Sequence, residues 1–297
     1  MNRIIPGLIW LILLILSWLP GFIMRFLSYL VHAVVFLFLR YRSEVVITNL
    51  RHSFPDLPQQ ELNKIASKFY QHFSELFLEM ILIIRLKPKI KSRRMQLTNQ
   101  EVLSRAFENR QNIIIITGHY GNWEWNVLPI LASGYRILGV YKPQSSKFAD
   151  QLMKNIRQKP GIVLVPMKDT LRVIKREIQE NSSPFALLLI ADQIPAEVDI
   201  RFWTPFLNQE TAFFTGGAKL AKRFKLPLFY LDQVKHGFAR YEAGITPVYD
   251  GSASLSDGEI TGEFARLLEV SIRKEPYLWL WSHRRWKYTK QELPLPL

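Results

Sequence analysis

The sequence of 297 residues contains no cysteine. Disulfide scaffolds, cysteine zinc sites, iron–sulfur clusters and thiol nucleophiles are therefore excluded. No two of the six histidines lie three or four residues apart, so the helical spacing typical of metal-binding histidine pairs is also missing. We expect neither a metal site nor a cofactor.

Acidic residues are missing from the first 39 positions, which carry only two basic residues, Arg3 and Arg25. The whole sequence has 39 basic and 25 acidic side chains, a net charge of +14, so most of the positive charge belongs to residues 40–297. Such an excess predicts an anionic partner: nucleic acid, a membrane surface, a phosphorylated substrate or an acidic protein. General disorder is excluded because 48% of the residues are hydrophobic and only 22% are charged.

A long uninterrupted apolar run is missing as well. Residues 4–19 and 22–39 are almost wholly apolar, but Pro20-Gly21 separates them. A secretory signal peptide fits poorly, because the apolar region is too long and no small-residue cleavage site precedes a polar start. The remaining interpretations are one tilted or kinked transmembrane helix, a short re-entrant hairpin, or a deeply buried amphipathic pair of helices.

We expect residues 1–39 to form an N-terminal membrane anchor, because their apolar length exceeds that of an ordinary core helix. Arg40 and Arg42 follow at once, and basic residues beside a membrane segment favour the cytoplasmic side. Residues 40–297 are therefore expected to form a cytoplasmic domain.

Strands and helices alternate in the second half of the sequence, where internal repeats and low-complexity linkers are missing. Residues 41–90 are predicted to be helical, with a turn at Phe54-Pro55-Asp56. Strands are predicted at 112–117, 136–141, 162–165, 185–190, 226–233 and 241–248, and helices at 122–131, 147–158, 169–179, 211–224 and 260–274. This alternation predicts an α/β fold with a mostly parallel central sheet covered by helices.

The predicted strand 112–117 leads into Gly118-His119-Tyr120-Gly121-Asn122-Trp123-Glu124. Glycines allow sharp turns, and functional sites of parallel sheets lie at the carboxyl ends of strands. If His119 lies on the loop and Glu124 in the following helical turn, the two side chains converge. An imidazole then takes a proton from a hydroxyl while the carboxylate holds its tautomer. Taken singly, each residue also fits a structural role.

Five segments in order resemble the lipid A late acyltransferases, the lauroyl and myristoyl transferases of the glycerolipid acyltransferase-like superfamily. These segments are His119-x4-Glu124; Asn49-Leu50 with Phe54-Pro55; Val140-Tyr141-Lys142-Pro143 with Arg157; Ala191-Asp192-Gln193 with Phe202-Trp203-Thr204-Pro205-Phe206; and the block from Pro276 through Trp279, Trp281 and His283-Arg284-Arg285 to Lys287. The resemblance spans nearly the whole chain, including the N-terminal apolar segment.

This resemblance implies transfer of a fatty acyl chain from a thioester, with acyl carrier protein as the expected donor, to a hydroxyl of a lipid A precursor at the bacterial inner membrane. His119 is expected to be the general base and Glu124 the carboxylate that orients it. The resemblance nominates Arg157 as a donor to the oxyanion, with backbone N–H groups near Gly121-Asn122 as the physical alternative. Direct transfer is expected, since neither a cysteine nor a Ser-His pairing is apparent.

Asp192 follows a predicted apolar strand, so it is expected at the same sheet edge as His119, where it either positions the site or binds Arg157. Substrate contacts are expected from Asn122, Tyr141, Lys142, Arg284 and Arg285.

The basic and aromatic C-terminal block suits either single-stranded nucleic acid or a membrane interface. The N-terminal apolar segment favours the membrane, so we expect a membrane lipid acceptor and no nucleic acid partner. A glycerolipid or amino-lipid acceptor is the alternative substrate. A membrane-tethered basic binding protein, or a hydrolase that uses the same histidine base, is a more distant alternative.

Overall fold

The computed structural model describes residues 4–85, 94–180 and 183–292. Within these ranges a seven-stranded sheet has the order β1-β9-β8-β2-β5-β3-β4, and β6 pairs with β7 in a separate hairpin. The strands are β1 Met95–Leu97, β2 Ile113–Thr117, β3 Arg136–Tyr141, β4 Val163–Pro166, β5 Phe185–Ile190, β6 Trp203–Phe206, β7 Gln209–Ala212, β8 Leu228–Gly237 and β9 Arg240–Tyr249.

Helices cover both faces of the sheet. They are α1 Ile4–Leu16, α2 Gly21–His32, α3 Ser43–Ser53, α4 Gln59–Leu82, α5 Gln100–Glu108, α6 Val127–Ala132, α7 Lys147–Gln158, α8 Thr170–Glu180, α9 Gly216–Phe224 and α10 Asp257–Lys274, and a π-helix, Ala33–Phe38, continues α2. The pairings within the large sheet are parallel except for β8 with β9. The expected α/β architecture with a mostly parallel sheet is confirmed.

The central strand β2 shows why its sequence is a continuous apolar run. Ile114 and Ile116 pack into the core on one face of the sheet, whereas Ile113 and Ile115 pack into the core on the other. A strand buried on both faces needs apolar residues at every position, and β-branched side chains suit such a strand. Helix α10 covers the first face, where Leu268 lies over the strand.

The predicted helix 211–224 is wrong in its first part. Thr211 and Ala212 belong to β7, which pairs antiparallel with β6, and α9 begins only at Gly216. The Thr211 hydroxyl donates to the carbonyl of Gln209, a local contact that competes with helix formation. Neither β6 nor the short β1 was predicted from the sequence.

Two other helical predictions need adjustment. Residues 41–85 form α3 and α4 on either side of the turn after Phe54, and the predicted end at residue 90 lies outside the described residues. Residues 123–125 form a single 3-10 turn rather than the start of an α-helix, because the Asn122 side chain accepts a hydrogen bond from the backbone N–H of Trp125 (3.2 Å).

The N-terminal apolar segment forms two short helices that Pro20 separates. Among the described residues no helix is both long and apolar enough to cross a membrane. On the inner side Met24 is buried, and Trp10, Leu13 and Leu16 pack against the same core. Large apolar side chains on the outer side are exposed: Leu8, Leu11, Ile12, Ile15, Trp18, Phe22, Phe26, Tyr29, Leu30, Val34, Phe38 and Leu39. We call this set the outer apolar face.

Candidate active site

The loop after β2 carries His119 at the carboxyl edge of the sheet. The backbone N–H of Gly121 donates to the carbonyl of Leu278 (3.0 Å), and that of Leu280 donates to the carbonyl of His119 (3.1 Å). Gly121 has a φ of +61°, and a Cβ there would lie 2.4 Å from Oε1 of Gln233, so only glycine fits. The imidazole is thereby held at the surface, 18% exposed.

Asp192 is the carboxylate that contacts His119. Asp192 follows β5, which pairs with β2, and its Oδ1 lies 2.6 Å from Nδ1 of His119. Oδ2 accepts hydrogen bonds from the backbone N–H of His119 and the indole N–H of Trp279, both at 2.8 Å. Burial alone would raise the pKa of Asp192, but its interactions with His119 outweigh burial and lower the pKa to about 2.

The expected pairing of His119 with Glu124 is therefore corrected. An ionised Asp192 only accepts hydrogen bonds, so Nδ1 of His119 carries a proton, and in the neutral imidazole Nε2 then has the lone pair. Among the described residues no hydrogen bond joins Glu124 to His119. An imidazole held in this way can act as a general base, with Asp192 holding the tautomer and able to stabilise the imidazolium.

Glu124 instead forms a bidentate ion pair with Arg157 on α7. Its carboxylate accepts from Nε (2.9 Å) and Nη2 (2.6 Å) of the guanidinium. Burial works against the charged guanidinium, but the contacts with Glu124 prevail and raise the pKa of Arg157. Arg157 therefore binds Glu124 rather than Asp192. The pair exists because the 3-10 turn carries Glu124 away from the His119 loop toward α7.

Two further side chains lie beside the base. The amide nitrogen of Gln193 is 3.4 Å from Nε2 of His119, and the side chain of Gln193 is exposed. The backbone N–H of Ile194 donates to Nε2 of His283 (3.4 Å). Burial lowers the pKa of His283 to about 4, so this second imidazole is neutral at physiological pH.

A buried polar network supports the His119 loop from below. The carboxylate of Glu79 accepts from the Asn122 amide and the Tyr241 hydroxyl, both at 2.7 Å. Gln233 binds the backbone of Asn122 twice, accepting from its N–H (2.7 Å) and donating to its carbonyl (3.0 Å). His72 donates from Nε2 to the carbonyl of Gly121 (3.2 Å). The loop therefore has little freedom to move.

The C-terminal block completes the same site. Trp279 is buried and donates to Asp192, as described above. The Asn49 amide on α3 donates to the carbonyls of Trp281 (2.8 Å) and His283 (2.9 Å), and Arg42 donates to that of Ser282 (2.9 Å). The segment around α3 and the C-terminal block are thereby joined close to His119.

A family model described as bacterial lipid A biosynthesis acyltransferase matches residues 3–288. The chain belongs to this family. It is accordingly an O-acyltransferase, and the family implies a lipid acceptor and an acyl donor.

Comparison with solved structures finds similarity to the 1-acyl-sn-glycerophosphate (LPA) acyltransferase PlsC from Thermotoga maritima. The identity is 11%, the TM-score is 0.38, and the match covers 88% of this chain and 98% of that chain. A comparison with curated protein sequences finds no match.

Two residues of this acyltransferase that were expected to bind substrate do not face it. Asn122 is buried and its amide group is used by Glu79 and by Trp125. Arg285 is 1% exposed, donates to the carbonyl of Ala212 (2.5 Å), and burial lowers its pKa to about 10. Both predictions of direct contact are corrected, because neither side chain reaches the surface.

The other three expected substrate contacts are accessible in this acyltransferase. Tyr141 ends β3 and is partly exposed, Lys142 follows it in an exposed position, and Arg284 is exposed next to His283. Their contact with substrate stays a prediction.

Several site residues were missed by sequence reasoning. His72 falls within the predicted helical stretch 41–90 and was not singled out, yet it bonds the loop that carries His119. Gln233 appeared only as the end of a predicted strand, and Gln193 only as part of a motif. A polar residue at the end of an apolar strand pattern is the one signal that was present for both glutamines.

Proposed function

We propose that this acyltransferase moves a fatty acyl chain from acyl carrier protein to a hydroxyl of a lipid A precursor, by direct transfer. The observation that carries the proposal is the His119–Asp192 pair at the carboxyl edge of the sheet, in a chain of the lipid A acyltransferase family. The net charge of +14 favours both an acidic carrier protein and a phosphorylated lipid.

The reaction follows from the protonation of His119. Its Nε2 takes the proton of the acceptor hydroxyl as the hydroxyl oxygen attacks the thioester carbonyl carbon. Asp192 stabilises the imidazolium that forms. The tetrahedral intermediate collapses, the carbon–sulfur bond breaks, and the imidazolium returns the proton to the departing thiolate. The products are the acylated lipid and the free thiol of the donor.

Direct transfer is supported by the groups that surround the base. The sequence has no cysteine, and within the described ranges no serine or threonine hydroxyl is hydrogen-bonded to His119. A covalent acyl-enzyme would need such a nucleophile next to the base. The acceptor hydroxyl itself is therefore the nucleophile.

The site of action in this proposal is the cytoplasmic face of the bacterial inner membrane. The outer apolar face exposes 66% of Trp18 and 75% of Phe22, which is costly in water and favourable in lipid. Arg42, just after this segment, bonds Ser282 in the C-terminal block. Residues 1–39 would thus act as the anchor and hold the active site of residues 40–297 close to the lipid surface.

The test is a transfer assay with purified wild-type protein and the variants His119→Ala and Asp192→Asn. The transfer rate of each variant should fall by a factor of about 10²–10⁴, the usual effect of removing a general base or its orienting carboxylate. Mass spectrometry of the lipid product, with acyl carrier protein and coenzyme A thioesters as donors, identifies the donor. An acceptor panel of a lipid A precursor, a lysoglycerolipid and an amino lipid identifies the acceptor.

Near-normal transfer by His119→Ala would remove the assigned base. Release of free fatty acid without any acceptor would support the hydrolase alternative instead.

A further inference from the structure

Acyl transfer needs hydrogen-bond donors for the negative charge that develops on the thioester carbonyl oxygen. The backbone N–H groups expected to supply them are already used. Gly121 donates to Leu278, Asn122 donates to Gln233, and His119 donates to Asp192. The loop that carries the base therefore offers none of these three N–H groups to the substrate.

The guanidinium of Arg157 is bound to another side chain as well. Its Nε and Nη2 are bound to Glu124. Arg157 lies on α7, which follows β3, and β3 is two positions from β2 in the order of the sheet. The oxyanion forms close to His119, so a donor next to that imidazole is required.

The side-chain amide of Gln193 lies next to His119 and can donate hydrogen bonds. Because Nε2 of His119 carries the lone pair, the Gln193 group that lies 3.4 Å away must be the N–H₂ donor. This distance is long for a hydrogen bond, so a substrate hydroxyl can displace the amide from Nε2 and leave the amide free to bind another acceptor. The amide has two N–H bonds, and Gln193 is exposed to solvent.

The backbone on both sides of Gln193 is fixed. Asp192 accepts three hydrogen bonds, and the N–H of Ile194 donates to His283. The next residue, Pro195, is buried. A donor on such a backbone is preorganised, which is what stabilisation of a developing charge requires.

We propose that the Gln193 amide donates a hydrogen bond to the oxyanion formed on the thioester carbonyl during acyl transfer. The inference rests on the proposed function. As His119 takes the hydroxyl proton and the new carbon–oxygen bond forms, the carbonyl π electrons move to oxygen, and Gln193 stabilises that charge. When the carbon–sulfur bond breaks, the carbonyl re-forms and the hydrogen bond weakens.

The experiment compares wild type, Gln193→Ala, Gln193→Glu and the matched control Gln59→Ala, whose glutamine lies on α4 and bonds only Arg51 and Asn63 in the described structure. Steady-state kinetics vary the acyl thioester at saturating acceptor. Gln193→Ala should lower kcat about 10²–10³-fold with little change in KM, because the contact forms in the transition state. Gln59→Ala should keep the wild-type kcat.

Gln193→Glu keeps the shape but replaces the donor by a carboxylate. It should lose as much kcat as the alanine variant, and it should also move the acid limb of the kcat/KM–pH profile to higher pH, since a neighbouring anion favours the protonated imidazole of His119. A purely structural role for Gln193 would lower the melting temperature of the variants and leave the kcat of the folded protein near the wild-type value.

The outcomes separate the two proposals. Wild-type protein that transfers no acyl chain from any thioester overturns the proposed function and this inference with it. An active wild type with a Gln193→Ala kcat within about threefold of normal overturns the role of Gln193 alone. A change confined to KM does the same, because it assigns Gln193 to ground-state binding.

Discussion

Two carboxylates, Asp192 and Glu124, lie at the same edge of the sheet and have different partners. Asp192 accepts from His119, whereas Glu124 binds Arg157. Each contact joins residues far apart in sequence, by 73 and 33 positions respectively. The motif spacing of His119 and Glu124 suggested a local pair, but the buried carboxylate that follows the neighbouring parallel strand reaches the imidazole. Pairing of β2 with β5 decides this contact.

Acid should destabilise the fold through its buried histidines. Burial lowers the pKa of His283 to about 4, and burial together with Lys235 lowers the pKa of His72 well below its ordinary value. Both rings are neutral in the native state but take up protons in the unfolded chain below its ordinary pKa of about 6.5. The unfolded state then binds more protons, so stability present above about pH 6.5 is lost as the pH falls toward about 4.

Urea unfolding at several pH values in that window measures this effect. His283→Gln retains an acceptor for the N–H of Ile194 and removes the titration, so the free energy of unfolding should depend less steeply on pH than in wild type. An unchanged slope would show that His283 does not carry this pH dependence.

At the scale of elements, the His119 loop depends on one glycine. In Gly121→Ala the new Cβ meets Gln233 and also sits at positive φ, which costs on the order of 1–3 kcal/mol for the backbone alone. The matched control is Gly161→Ala: its φ is +102°, and no heavy atom lies within 4 Å of the added Cβ. Both variants carry backbone strain, but only the first displaces Gln233.

Thermal unfolding and transfer assays distinguish the two alanine variants. Gly121→Ala should lose more stability than Gly161→Ala and should also lose most of its activity, because Gln233 holds Asn122 in the loop. Equal activity in both variants would mean that the loop tolerates movement of Gln233.

The pattern of apolar residues was sufficient to predict the strands and helices that bury a continuous apolar face. Both β2, with its four isoleucines, and β5 are continuous apolar runs, and such runs could be recognised as buried strands from the sequence alone. The β6–β7 hairpin was not, because four-residue strands give too short a pattern and Thr211 also fits a helix start. The network of Glu79, Gln233 and Asn122 was also not predictable, since it joins three separated segments.

For the whole molecule, the outer apolar face should bind lipid. Replacing Trp18, Phe22 and Phe26 together by serine should weaken binding to vesicles that contain anionic lipid by more than tenfold, because each buried aromatic side chain contributes about 1.5–3 kcal/mol. The control is Val198→Ser, which alters a side chain that is 75% exposed but lies outside this face.

Co-sedimentation with vesicles is the measurement. Equal binding of the triple variant and the control would assign membrane attachment to another part of the molecule.

Because Trp279 donates to Asp192, the active site is complete only when the C-terminal block has been synthesised. A ribosome makes the apolar N-terminal segment first, then His119, then Asp192, and the indole that completes their hydrogen bonds only near the end. A nascent chain therefore contains its N-terminal segment and His119 well before it holds a finished site. A chain interrupted between His119 and residue 276 would carry the histidine without the block that fixes it, and we expect such a fragment to be inactive.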